Sequence, residues 1–133
     1  MNKRQQKYFA YISLSEMTHD WILGAHFMDV PYYRFFNRLF SEGLAENIVI
    51  LFFSDHGIRF GPIRESYYGS QEDRRPFHFI RLPKNTQQKY VENLRENQYR
   101  LTTPFDIHAS LVHLMKGMFC FITIKLSSCY IFR

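Results

Sequence analysis

The spacing of apolar and polar positions changes several times along the chain, and each change predicts an element. "KYFAYISLS" (7–15) is rich in aromatic and β-branched residues and reads as a buried strand. "EMTHDWILGAHFMDV" (16–30) has no clear period and reads as a polar loop carrying His19, Asp20 and His26. A helix is expected from Asp29, with Pro31 early, where a missing N–H is harmless. Tyr32, Phe35, Phe36, Leu39 and Phe40 then recur at helical spacing, and Gly43 closes the helix. "NIVILFFS" (47–54) is one unbroken apolar run, the pattern of a parallel-sheet strand covered on both faces. "DHGIRFGPIRESYYGSQEDRR" (55–75) reads as a long loop, and "PFHFIRLP" (76–83) as a strand. That strand alternates Phe77, Phe79 and the stem of Arg81 against His78, Ile80 and Leu82, and His78 reads as structural or exposed. "NTQQKYVENLRENQYR" (85–100) is a polar amphipathic helix capped by Asn85 or Thr86. A last helix starts with Thr103 as cap and Pro104 as first residue, with Phe105, Ala109, Leu111 and Val112 on its core side.

Strands alternating with helices argue for an α/β domain. In open α/β sheets, function gathers at the carboxyl ends of the strands. Asp55 and His56 fall at one such end, and His19 follows another. A carboxylate beside an imidazole can ligate metal, or Asp55 can cap the next turn while His56 lies exposed. Adjacent strand residues point to opposite faces, so a shared ligand role needs a turn after the strand. Gly57 is expected to supply that freedom.

Composition narrows the class. The 133 residues fit one domain, and 14 Phe and 9 Tyr are enough to build a core rather than a disordered chain. The net charge of +5 raises the question of nucleic acid, but Lys3, Arg4, Lys7, Arg74 and Arg75 are scattered, and no recognition helix emerges. A mildly basic surface, or attraction to an anionic substrate, is the better match to this charge. Two cysteines, Cys120 and Cys129, exclude a disulfide framework. The basic opening is followed by an apolar run too short for a signal peptide. The stretch "GMFCFITIKLSSCYIFR" (117–133) is too short for a spanning helix and is interrupted by Lys125. It is separated from a main unit at 1–116 as an atypical apolar tail: a peripheral strand, or a segment foreign to the domain.

"IVILFFSDHGIRFGPIRESYYGSQEDRRPFHFIRLP", with "TTPFDIHASL" after it, resembles the alkaline-phosphatase-like superfamily. The nearest group by these motifs is the sulfatase-related domain of unknown function 229. The resemblance runs from about Phe9 to Met115 and implies a partial alkaline-phosphatase-like sheet flanked by helices. It implies that Asp55 and His56 ligate a divalent metal, zinc or manganese in preference to calcium. It places His19, in "SLSEMTHDW", near the substrate or a second metal, and leaves Asp106 and His108 architectural. It further implies an extracellular or secretory setting. The family's nucleophile and early metal-ligand Asp belong to an N-terminal strand and helix that nothing here matches. The chain is therefore expected to be the C-terminal half of such a domain, without a catalytic nucleophile.

Arg59 and Arg64 could face an anionic ester through bidentate contacts. Glu65 is the expected partner of either, while Arg74 and Arg75 could face the same ester but read better as a solvated loop face. Tyr67 and Tyr68 either wall a pocket or cover the sheet, and His26 and His113 read as surface or packing residues. Three readings follow: an incomplete metal-dependent phosphatase- or sulfatase-like hydrolase, a non-catalytic binding module, or a fragment without a stable fold, whose raw sheet edge would aggregate.

Overall fold

The computed structural model describes residues 8–21 and 23–116, without the side chains of 87 and 89, and the backbone of 120–126. Lys3, Arg4, Lys7 and Cys129 lie outside the described residues. The elements are β1 (Phe9–Leu14), α1 (Glu16–His19), α2 (Gly24–Ser41), β2 (Ile48–Ser54), α3 (Pro62–Glu65), α4 (Tyr67–Asp73), β3 (His78–Arg81), α5 (Lys84–Asn97), α6 (Pro104–Lys116) and β4 (Cys120–Leu126). The architecture is α/β, built on one four-stranded sheet in the order β1-β4-β2-β3.

The sheet is mixed. β1, β4 and β2 run parallel, whereas β3 pairs antiparallel with β2. The register sets Leu14, Leu126 and Ser54 side by side, so the three parallel strands end at one edge of the sheet. A strand in the tail was expected at the periphery. Instead β4 is paired on both sides, between β1 and β2.

β2 explains the layering. Its Val49 and Leu51 face one side and cluster with Leu82 and Leu114, joined by Ile80, Tyr90, Leu94, Ile107 and Leu111 of β3, α5 and α6. Its Ile48 and Ile50 face the other side and cluster with Leu39 and Ala45, with Phe36 of α2 beside them. A strand covered on both faces gains about 1.5–3 kcal/mol per fully buried aliphatic side chain, which is why its sequence is continuous rather than alternating. Phe52 extends the α2 face by ring contacts with Tyr32, Phe36, Phe77 and Phe79. Arg81 closes that face: its guanidinium donates to the Ala45 and Ile48 carbonyls and lies 5.3 Å from the Phe40 ring centroid.

Several boundaries differ from expectation. α2 begins at Gly24, so Pro31 lies inside the helix rather than in its first turn. The added turn is anchored by Gly24 N–H donating to Trp21 O and His26 N–H to Leu23 O. Gly43, at φ 70°, ends the helix as expected. α5 begins at Lys84 with Pro83 as its cap residue, and Thr86 is buried with its hydroxyl donating to Asn85 Oδ1, so neither Asn85 nor Thr86 caps it. α6 starts at Pro104 as expected, but its core stripe is Ile107, Leu111 and Leu114, while Phe105 is exposed. Two apolar stripes overlap on this helix, and Phe105, Ala109 and Val112 form the outward one.

On β3, His78 packs edge-on to Phe53, and its Nε2 is buried without a hydrogen-bond partner among the described residues. Burial lowers its pKa below the usual histidine value. The folded state therefore holds this ring neutral where the unfolded chain protonates it. Its contribution to stability is present above about pH 6.5 and is lost as pH falls toward the lowered folded value. In His78→Leu, the fall in Tm between pH 7 and pH 5 is expected to be smaller than in the parent chain. An identical fall in both, in thermal melts across that range, would remove His78 as a source of acid sensitivity.

Candidate functional site

β2 delivers Asp55 to the sheet edge immediately after Ser54, which is buried and bonded to the start of β3 through Ser54 N–H to Phe77 O and Phe77 N–H to Ser54 Oγ. The chain turns at once. His56 N–H donates to Asp55 Oδ1 at 3.1 Å, and His56 Nδ1 lies 2.6 Å from the Gly57 carbonyl. A carbonyl only accepts, so Nδ1 carries the proton there and the neutral ring presents Nε2 as a bare lone pair. That Nε2 sits 3.7 Å from Asp55 Oδ2. Two ligands at 2.0–2.2 Å on a tetrahedral ion stand about 3.4 Å apart, so a small side-chain adjustment would bring both onto one ion. Among the described residues no third His, Cys, Asp or Glu joins them in a metal-sized cluster.

Gly57 does not act as expected. Its φ is not in the left-handed region, which only Gly43 and Gly61 adopt among the described glycines. Its role is close approach: a Cβ there would stand 2.6 Å from Glu72 O and 2.9 Å from Asp73 Cα. Its N–H donates to Asp73 O at 3.1 Å, and buried Ile58 follows, so the loop lies flat against the end of α4.

The segment read as one long loop holds two short helices. Pro62 takes the first turn of α3, and Ser66 caps α4 by accepting from Gly69 N–H at 3.1 Å. Gly69 and Asp73, four residues apart, occupy the buried face of α4. Asp73 then meets both site arginines: Arg64 Nε donates to Oδ2 at 3.3 Å, and Arg59 Nε lies 3.5 Å from Oδ1. The expected partner, Glu65, is exposed and makes neither pair.

These residues share a cavity of about 570 Å³ lined by Asp55, His56, Arg59, Arg64, Asp73, Arg74, Pro76 and Thr102–Pro104. Arg74 thus faces the cavity rather than forming only a solvated surface. The start of α6 supplies another wall. Thr103 donates to Asp106 Oδ2 from both its hydroxyl and its N–H, at 2.7 Å each, and the hydroxyl contact chiefly holds the Asp106 carboxyl below the usual carboxylate range. Asp106 is therefore a capping residue. His108 is exposed on the same helix and does not line the cavity.

His19 is not brought into this cavity. It ends α1, exposed, with Nδ1 2.5 Å from Asp20 Oδ1, and its ring lies 6.4 Å from that of Phe60, next to Arg59. Tyr67 and Tyr68 touch edge to face and point outward, and neither walls the cavity. Sequence patterning did not point to Asp73 or the 102–104 wall, and it favoured a solvated face for Arg74 over the anion contact it also allowed. One signal was available: Ser66 as a helix cap would have put Gly69 and Asp73 on one face.

Residues 1–118 match a family model described as a protein of unknown function, DUF229. The chain belongs to the DUF229 family. No curated protein and no solved structure matches it. In this DUF229 chain every cavity residue falls inside the matched segment, whereas β4 lies beyond it. No helix among the described residues is long and apolar enough to cross a membrane.

Proposed function

We propose that this DUF229 chain carries part of the site of a metal-dependent hydrolase of the alkaline-phosphatase-like, sulfatase-related class, acting on phosphate or sulfate esters. The observation that supports this reading is the convergence of Asp55 and His56 with three guanidinium groups on one cavity. Asp55 Oδ2 and His56 Nε2 fit two positions of a zinc or manganese ion. When bound, such an ion polarises the ester oxygen and lowers the pKa of an attacking hydroxyl. The residues of the chain itself have simpler tasks. His56 is held in the ligating tautomer by the Gly57 carbonyl, and Arg59 and Arg64 orient the anionic group. His19 lies outside the cavity, its ring 6.4 Å from that of Phe60, so the anionic group rests on the arginines.

No residue in the cavity is assigned as nucleophile, so the chain alone binds but does not turn over an ester. A second reading, an oxyanion-binding module without metal, is favoured by the two-donor set. Zinc and manganese titrations by calorimetry distinguish them. The hydrolase-type reading expects binding that weakens at least about tenfold in Asp55→Ala and in His56→Ala. Equal metal binding in both variants would sink the ligand assignment, and turnover of an aryl phosphate by the chain alone would overturn the binding-only role.

A further inference from the structure

We propose that Asp73 is the positioning residue of an oxyanion clamp formed by Arg59 and Arg64, an inference that rests on the cavity taking an anionic ester. The geometry is unusual for a simple ion pair. The Asp73 carboxylate is about nine-tenths buried at the end of α4, whereas the Arg59 and Arg64 side chains remain half exposed or more. In each arginine the nitrogen facing the carboxylate is Nε, the one nearest the aliphatic stem. No hydrogen bond from a terminal guanidinium nitrogen of either arginine to protein is formed among the described residues.

A guanidinium held through Nε has its plane fixed while its outer edge stays available. One carboxylate serves two arginines at once: Oδ2 accepts from Arg64 Nε at 3.3 Å, and Oδ1 forms an ion pair with Arg59 Nε at 3.5 Å. Both guanidiniums also line the cavity that contains Asp55 and His56, with Arg74 and the N-terminal turn of α6 on its other walls. A tetrahedral oxyanion has several acceptor oxygens and can engage both outer edges together. The backbone reinforces the arrangement, because the Asp73 carbonyl accepts from Gly57 N–H and so ties the carboxylate's own residue to the loop bearing Arg59.

The alternative is that Asp73 merely neutralises two surface cations, and the two roles predict opposite signs. If Asp73 only neutralises, its removal leaves more positive charge in the cavity and anions bind more tightly. If it positions, the guanidiniums lose their common support and anions bind more weakly. Inorganic phosphate, and separately sulfate, titrated by calorimetry into the full chain in EDTA reads this without metal. Asp73→Asn is expected to weaken phosphate binding about fivefold or more, and Asp73→Glu to recover part of the loss. Equal or tighter binding by Asp73→Asn would overturn the positioning role alone.

No phosphate or sulfate binding by the parent chain would overturn the anion-cavity reading and this inference with it. Should Asp73→Asn fail to give a cooperative melt, Arg59→Lys/Arg64→Lys decides. It keeps both charges but has no Nε fork, so the clamp predicts a comparable loss, and full retention of phosphate binding would overturn it.

Discussion

Gly57→Ala is expected to destabilise the chain by about 3 kcal/mol and to abolish metal and phosphate binding together. Two effects of opposite sign meet at this position. Replacing glycine restricts the unfolded chain and stabilises by about 0.4–1 kcal/mol when the native conformation tolerates a side chain. Here the new methyl would stand 2.6 Å from the Glu72 carbonyl oxygen and 2.9 Å from Asp73 Cα. Both are main-chain atoms of α4, so no flexible side chain can swing aside, and overpacking of about 1–3 kcal/mol or more outweighs the entropic gain. The relief available is separation of the 55–58 loop from α4. That movement breaks the Gly57–Asp73 backbone bond and carries Asp55, His56 and the adjoining Arg59 away from Asp73 and Arg64. Urea denaturation gives the stability change, and calorimetry on the variant gives the two binding losses. A variant as stable as the parent chain and binding both ligands would show that the loop does not need this contact.

What could be read from the sequence follows physical lines. The run from Ile48 to Ser54 announced a doubly covered strand because its residues must satisfy two apolar faces at once, and the structure gives it α2 on one face and α5 and α6 on the other. Asp55 and His56 were legible because polar residues directly after such a strand fall at the sheet edge. The direction of β3 was not legible, since alternation along "HFIR" is the same for a parallel or antiparallel partner. Neither was the inner position of β4, because an apolar run does not state which strands will flank it. Asp73 was hidden for another reason. Its meeting with Arg59 and Arg64 depends on two one- to two-turn helices, set by Gly61-Pro62 and by the Ser66 cap, which fold residues distant in sequence onto one carboxylate. Gly57 illustrates the limit most clearly. A glycine after a strand suggests backbone freedom, yet here the requirement comes from a neighbouring main chain that only the tertiary fold supplies.

Leu51→Ala is expected to cost about 2–5 kcal/mol, the range for truncating a leucine in a packed core. Leu51 is fully buried and belongs to the cluster with Val49, Leu82 and Leu114 that joins the sheet to α5 and α6. Truncation removes its transfer free energy and leaves a void that strand and helices cannot both close. Phe105→Ala is the matched control. It removes a larger apolar side chain from α6, but that side chain is 84% exposed, so its effect is expected within about 0.5 kcal/mol. The pair tests the rotation of α6 as well as the depth of the core, because the alternative stripe through Phe105, Ala109 and Val112 predicts the reverse order. Denaturation midpoints at unchanged m value measure both costs. A larger loss for Phe105→Ala than for Leu51→Ala would mean that α6 presents its other face to the sheet. The start of α6 would then no longer wall the Asp55–His56 cavity in the way described, because Thr102, Thr103 and Pro104 turn with the helix they begin.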